Sequence, residues 1–166
     1  MAAAHITVVG QPALVRERGD VYRAEYPPAQ HGWLHRARSL LDAGVRYAAG
    51  SDAPVTEPDP IAGLIAARTR RTATGRILGE LEMLSAAQAL AAFTLWPARA
   101  VGAERELGRL RPGMLADMVV LDPDVLDAAA AEEVSRPVRA TIMEGRVVWQ
   151  AQGPHSCPPG PLLGRG

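Results

Sequence analysis

The sequence has 166 residues, of which 48% are apolar and 22% charged, a composition that predicts a single globular domain and excludes a disordered chain. Its 18 acidic and 18 basic residues cancel, and because nucleic acids and anionic membranes attract a basic excess, we expect neither as a partner. Every basic residue is Arg, so a Lys Schiff base, a Lys general base and a Walker-A phosphate loop are excluded.

The first third of the sequence has the pattern strand, loop, helix, strand. Residues 6–9 are a β-branched apolar run followed by Gly10, and residues 45–49 are a second apolar run, both typical of buried strands. Between them, the polar residues 15–32 predict a long loop that contains a helical turn, and the apolar spacing over 34–43 predicts a helix. A helix between two apolar strands favours their parallel pairing.

Polar side chains follow both predicted strands. Gln11 comes after the first strand, and Asp52 comes after the second, two residues before Pro54. Functional groups gather at the carboxyl ends of parallel strands, so Asp52 and Gln11 are our candidate site residues, Gln11 as a substrate contact. The alternative is that Gln11 satisfies local backbone and that Asp52 only caps the amides of a turn.

The middle of the sequence predicts two helices with polar caps. Asp59 followed by Pro60 predicts the start of one helix, which ends at the Arg-rich segment 68–71. Ser85 predicts the start of a second helix over residues 86–93. We interpret the Arg cluster as favourable charge at a helix C-terminus, with an anion site as the alternative.

After residue 102 the pattern changes to short strands. The predicted strands cover residues 108–110, 117–121, 138–143 and 146–149. Residues 125–134 predict a small helix, and Glu144-Gly145 predicts a tight hairpin turn. The Pro- and Gly-rich residues 151–166 predict a disordered tail.

Several short phrases, in this order along the chain, resemble the metal-dependent amidohydrolases. They are Gln11-Pro-Ala-Leu14, Gly50-Ser-Asp-Ala-Pro-Val55, Leu84-Ser-Ala-Ala-Gln-Ala-Leu90, Gly108-Arg-Leu-Arg-Pro-Gly-Met-Leu-Ala-Asp117 and Thr141-Ile-Met-Glu-Gly-Arg-Val-Val148. Within that superfamily the sequence is most similar to the branch that includes the N-substituted formamide deformylases. The resemblance covers about residues 6–149, nearly the whole chain.

The resemblance implies an α/β fold with two parts. The first is the C-terminal part of a (β/α)₈ TIM-type barrel, its last two strands and helices, over residues 1–102. The second is the C-terminal half of a small β-sandwich over residues 103–150, followed by the tail at 151–166. Residues 6–9 and 45–49 would be the seventh and eighth barrel strands.

The resemblance also implies a hydrolase that acts on carbon–nitrogen bonds other than peptide bonds, in a small-molecule amide or formamide. Asp52 would match the family's Asp after the last barrel strand, which binds a divalent metal, expected to be zinc, and exchanges a proton with the hydrolytic water. However, the sequence has no His-x-His pair and no Lys, two features of the family's metal centre. A catalytic zinc usually needs three protein ligands, so we expect a fragment that binds no metal and is inactive alone.

Incomplete strand pairing predicts a binding partner. Two parallel strands with unpaired edges tend to associate, so we expect self-association or binding of a missing N-terminal segment. The alternative function is a non-catalytic α/β module that binds a partner or itself. The single Cys157 and the absence of a signal peptide or a long apolar run predict a cytoplasmic protein without a membrane span.

Two of the histidines have the spacing of half a zinc motif. His31 and His35 are four residues apart, but the Glu of the metalloprotease signature is missing between them. We therefore predict two surface histidines near the start of a helix.

Overall fold

The computed structural model describes residues 6–122, Leu126 and residues 138–151. In chain order the elements are β1 (Thr7–Gly10), α1 (Ala13–Glu25), α2 (Arg38–Asp42), β2 (Arg46–Ala49), α3 (Pro60–Thr69), α4 (Ala86–Phe93), α5 (Leu95–Ala100), β3 (Met118–Leu121), β4 (Val138–Met143) and β5 (Arg146–Gln150). Short 3₁₀ turns lie at Pro28–Trp33 and Glu80–Glu82. The chain has an α/β fold, as predicted.

Strands β1 and β2 form a two-stranded parallel sheet, which confirms the predicted pairing. Thr7 pairs with Arg46 at one end of the sheet, and Gly10 pairs with Ala49 at the other. The ring of Tyr47 occupies the space where a Cβ of Gly10 would lie, so a side chain at position 10 would displace that buried ring. Both strands therefore end at the same edge, and the segments carrying Gln11 and Asp52 leave from there.

The helices pack against this sheet through small and aliphatic side chains. The buried cluster comprises Ala37, Tyr47, Leu64, Ala67, Leu84, Ala89 and Ala92. A Cβ at Gly63 of α3 would lie 2.6 Å from Cζ of Phe93, the last residue of α4, so glycine is needed for the close approach of these helices. Small residues at helix contacts thus allow close packing in a chain with 4% aromatic residues.

The prediction of a loop over residues 15–32 is wrong for its first half, where α1 is helical. Asp20 on this helix accepts hydrogen bonds from the hydroxyl groups of Thr72 and Thr74, at 2.7 and 2.6 Å. Gly19 lies against the Thr72 methyl group, where a Cβ would be 2.5 Å away. Eight of the 13 residues of α1 are Ala, Leu, Arg or Glu, which favour helices, and these contacts with a distant segment hold the helix in place.

The predicted helix over 34–43 is shorter than expected, since only α2 is helical. His35 has a φ of 49°, which no helix accommodates. The Arg70 guanidinium donates hydrogen bonds to the carbonyl groups of Leu34 and His35, both at 2.8 Å. These two carbonyls are therefore engaged outside any helix, and α2 begins only after them.

The two helix starts predicted from polar caps are confirmed. The Asp59 side chain accepts hydrogen bonds from the amides of Ile61 and Ala62 at the start of α3, at 2.8 and 3.2 Å. Ser85 and Gln88 form a reciprocal capping box at the start of α4. Both caps depend on residues within one helical turn, so the local sequence was sufficient to predict them.

The last three strands form a separate antiparallel sheet in the order β3-β4-β5. Glu144 and Gly145 have φ values of 49° and 75°, which confirms the predicted tight turn between β4 and β5. The predicted strand over 108–110 is wrong, because those residues are not paired in a sheet and Gly108 has a φ of 86°. The helix predicted at 125–134 and the tail at 151–166 lie outside the described residues, apart from Leu126 and Ala151.

Among the described residues, the helices are all too short or too polar to cross a lipid bilayer.

Candidate functional site

Gln11 and Asp52 both follow the carboxyl edge of the parallel sheet. The amide of Gly50 donates to the carbonyl of Gly10 at 2.9 Å, which continues the pairing one step past β2. Gln11 is partly buried, and its side-chain nitrogen donates to the carbonyl of Val9 at 3.3 Å. The Gln11 side chain thus forms a hydrogen bond with local backbone, at the same sheet edge that the Asp52 turn follows.

Asp52 lies in a tight turn with a left-handed backbone. Its φ is 63°, a conformation that Asp and Asn adopt more readily than most residues, and its carbonyl accepts from the amide of Val55 at 2.8 Å. The Asp52 carboxylate is exposed and makes no hydrogen bond or ion pair with another described residue. Residues held in such sparsely populated conformations cluster at functional sites.

Neighbouring hydroxyl groups make the hydrogen bonds that hold this turn. The Ser51 hydroxyl accepts from the amide of Ala53 at 3.2 Å. Thr56 is 3% exposed, and its hydroxyl donates to the carbonyl of Ser51 from inside the domain. The turn-capping alternative for Asp52 is therefore not what the described contacts show, since Ser51 has that role and the Asp52 carboxylate is left available.

The described residues do not by themselves fit a catalytic divalent metal. In the parts of the chain that the structure describes, no three His, Cys, Asp or Glu side chains lie close enough to hold one. Asp59, the next acidic residue but one after Asp52, is engaged as the N-cap of α3. A catalytic zinc site needs about three protein ligands, and Asp52 would supply one.

The two histidines with half-motif spacing contact other groups. His31 is 7% exposed, so the prediction of a surface side chain is wrong there, and its Nε2 lies 2.9 Å from the carbonyl oxygen of Tyr26. The His35 ring packs against Tyr22, with 5.4 Å between ring centroids. Burial, together with the nearby charge of Arg70, lowers the pKa of His35 below its usual value.

Arg70, which the sequence analysis placed in the Arg cluster at the end of a helix, is 2% exposed. Its guanidinium donates to the carbonyls of Leu34, His35 and Leu78, each at 2.8 Å. Burial lowers the pKa of Arg70 to about 10, although Glu82 and Tyr47 act in the opposite direction. Arg68 lies in the last turn of α3 and Arg70 is its C-cap residue, which confirms the predicted position of the cluster at a helix C-terminus. The Arg70 side chain in addition joins three segments of the chain.

Glu82 is a second buried charge that sequence reasoning missed. Its carboxylate accepts from the amides of Ala37 and Ser39 at 2.9 and 3.1 Å, which satisfies the start of α2. Burial raises the pKa of Glu82, but hydrogen bonds from Ser39 and Ala37 outweigh it and the net shift is downward. No local signal marks either Arg70 or Glu82, because each has partners that are distant in the sequence.

The sequence was compared with protein families and with characterised proteins. The amidohydrolase family profile matches residues 4–149. The N-substituted formamide deformylase of Arthrobacter pascens is 34% identical over 154 residues, which are 92% of this chain and 28% of that protein. The imidazolonepropionase of Bdellovibrio bacteriovorus is 33% identical over 108 residues, which are 63% of this chain and 21% of that enzyme.

Solved structures give the same result for the fold. A metal-dependent hydrolase from Pyrococcus horikoshii superposes with a TM-score of 0.64 at 25% identity, over 78% of this chain and 27% of that one. Guanine deaminase from Bradyrhizobium japonicum superposes with a TM-score of 0.63 at 19% identity, over 91% of this chain and 39% of the deaminase. The chain thus spans between a fifth and two fifths of the length of these relatives.

Proposed function

This chain belongs to the amidohydrolase family, and we propose that it is the C-terminal part of a metal-dependent hydrolase that cleaves a carbon–nitrogen bond other than a peptide bond. The observation that carries the proposal is the position of Asp52, which follows the carboxyl end of β2 with an exposed and unengaged carboxylate. Matched relatives include a formamide deformylase and an imidazolonepropionase, which act on such bonds. We therefore propose a small-molecule amide, such as a formamide, as the substrate class.

We propose that β1 and β2 are the last two strands of a (β/α)₈ barrel and that β3, β4 and β5 belong to a small β-sandwich. The parallel pairing of β1 with β2 and the separate antiparallel sheet support this division at about residue 102. In barrels of this kind the reacting groups lie after the carboxyl ends of the strands, which is where Gln11 and Asp52 are found.

The proposed role of Asp52 is to supply one carboxylate of the metal centre. A divalent metal, when bound, lowers the pKa of a coordinated water toward neutrality. The remaining ligands would come from polypeptide beyond the described residues, because those residues offer no cluster of three donors. We therefore expect the 166-residue chain alone to be inactive.

Complementation tests this proposal. The chain would be mixed with the part of the Arthrobacter pascens formamide deformylase that precedes the matched region, and hydrolysis of an N-substituted formamide would be measured. We expect activity from the mixture and from neither part alone. Asp52→Asn should reduce the activity at least 100-fold, within the range that loss of an acid–base group causes.

The matched control for this experiment is Asp42→Asn. Asp42 is an exposed carboxylate in α2 whose contact is an ion pair with Arg38 at 2.9 Å. This variant should keep the activity of the mixture. Full activity of the Asp52→Asn mixture would reject Asp52 as a catalytic residue, and hydrolysis by the isolated chain would reject its proposed incompleteness.

A further inference from the structure

A separate pocket lies at the amino edge of the parallel sheet, opposite the edge that Asp52 follows. It has a volume of about 440 Å³ and is lined by Thr7 and Arg46, the first residues of β1 and β2. Each of these strands has four residues, so the two edges are roughly 10 Å apart. The pocket is therefore distinct from the candidate site at Asp52.

Two arginines without partners line this pocket. Arg46 and Arg99 are exposed, and neither guanidinium makes a hydrogen bond or ion pair with another described residue. Unengaged guanidinium groups beside a cavity can bind a carboxylate through two parallel hydrogen bonds.

The charge of the pocket favours an anion with a single negative charge. Among the described residues that line it, Glu104 is the acidic one, against the two arginines, so the lining carries one excess positive charge. A monocarboxylate neutralises the one excess positive charge of the lining. A dianion would add a second negative charge close to Glu104, which repels it.

The remaining wall of the pocket suits an apolar group. Trp96 of α5 is partly buried and lines the pocket, as do Leu41 and Val45. The volume is within the range of about 300–1,000 Å³ that small-molecule sites occupy. A ligand with one carboxylate and an apolar ring could contact both the arginines and the apolar side chains of the lining.

We propose that this pocket binds a small organic monocarboxylate, whose carboxylate contacts Arg46 and Arg99 and whose apolar body packs on Trp96. The binding is independent of the hydrolase function proposed for Asp52, because it uses the opposite edge of the sheet.

Titration of the 166-residue chain with benzoate tests this proposal. The readout is the NMR signal of the Trp96 indole N–H, assigned with a Trp96→Phe variant. We expect a saturable shift of this signal. Benzamide, which has the ring without the charge, and acetate, which has the charge without the ring, should each bind at least about tenfold more weakly, since either loss removes interactions worth a factor of ten or more.

Single substitutions identify the groups responsible. Arg46→Gln and Arg99→Gln should each weaken benzoate binding about tenfold, and Glu104→Gln should strengthen it, because the repelling carboxylate is removed. Arg18→Gln, an exposed arginine of α1 outside the lining, is the matched control and should bind like the unaltered chain. Circular dichroism checks that each variant is folded. Because the four substitutions are at different positions, the folded variants still test the proposal if one variant does not fold.

Three results would overturn the proposal. One is the absence of a saturable Trp96 shift in the folded chain. Another is equal binding of benzamide and benzoate, since the arginines would then contribute nothing. The third is a weakening by Arg18→Gln as large as that caused by Arg46→Gln and Arg99→Gln, which would indicate general charge attraction rather than a site.

Discussion

At the scale of single residues, Arg70 joins segments that are far apart in the sequence. Its buried guanidinium donates to the carbonyls of Leu34 and His35, which precede α2, and of Leu78, which follows α3. Removing it would leave three carbonyls without their donor, and an unsatisfied buried polar group costs about 1–3 kcal/mol. Arg70→Met should therefore lower the free energy of unfolding by about 3 kcal/mol or more in urea titrations.

The exposed Arg18 provides the comparison for that experiment. Arg18→Gln removes the same charge from the surface of α1 and should change the free energy of unfolding by less than about 0.5 kcal/mol. Arg70→Lys should recover only part of the loss, because an ammonium group lacks the planar fork that spans three carbonyls. Equal stability of Arg70→Met and Arg18→Gln would contradict the role assigned to Arg70.

His35 makes the stability of the domain depend on pH. Burial and the charge of Arg70 hold its folded-state pKa below the usual 6.5, so the unfolded chain takes up a proton first as the pH falls. Stability is therefore fully present above about pH 6.5 and decreases as the pH falls below it. We expect the urea midpoint to decrease between pH 7.5 and 5.5.

The His35→Asn variant separates this effect from other titrations. Asn accepts the positive φ of position 35 and carries no proton in this range, so the variant should have a flatter dependence on pH. The carboxyl pKa values of Asp20 and Glu82 are lowered and therefore lie outside this window. An identical slope in both proteins would exclude His35 as the titrating group.

At the scale of elements, local and distant interactions determine different helices. The starts of α3 and α4 could be predicted because Asp59 and Ser85 cap amides within the next three residues. The contact that holds α1 against the rest of the domain could not be predicted, because Asp20 bonds to Thr72, which is 52 residues away. Contacts between residues a few positions apart can be inferred from a sequence pattern, whereas contacts between distant segments cannot.

Removal of the Asp20 carboxylate should lower the local stability of both α1 and the loop that follows α3. Asp20→Ala loses hydrogen bonds from Thr72 and Thr74, so backbone amides of residues 13–25 and 71–77 should exchange with deuterium faster. The β4–β5 hairpin should be unaffected, since it belongs to the other sheet. Asp42→Ala is the control, and unchanged exchange in Asp20→Ala would show that α1 does not depend on this contact.

At the scale of the whole molecule, the described residues leave strand edges and apolar side chains uncovered. Strands β1 and β2 pair with each other and with no further strand in that part of the chain, and Val9 on β1 is 55% exposed. Such edges bind other strands. We expect the chain to associate reversibly, with a sedimentation coefficient that rises with concentration.

Two valine substitutions test where this association occurs. Val9→Lys places a charge on the exposed strand and should reduce association. Val101→Lys adds the same charge at a side chain that is 78% exposed but follows α5 outside the sheets, and it should have little effect. A concentration-independent monomer that melts cooperatively would contradict the expectation of uncovered strand edges.

The position of the candidate site residues could be predicted from the sequence, and their role stays a prediction. Asp52 follows an apolar strand, where functional groups gather, but it was the resemblance to the amidohydrolases that marked it as a site residue rather than a turn residue. The availability of its carboxylate was not predictable, since it depends on the hydroxyl groups of Ser51 and Thr56 holding the turn. A full set of metal ligands could not be predicted, because the described residues contain no cluster of three suitable side chains.

The most direct test is the metal content of the complex between this chain and the preceding part of the Arthrobacter pascens formamide deformylase, measured after dialysis. If Asp52 supplies a ligand, the complex retains a divalent metal and the complex carrying Asp52→Asn loses it, while the chain alone retains none. Equal metal in both complexes would contradict the central claim.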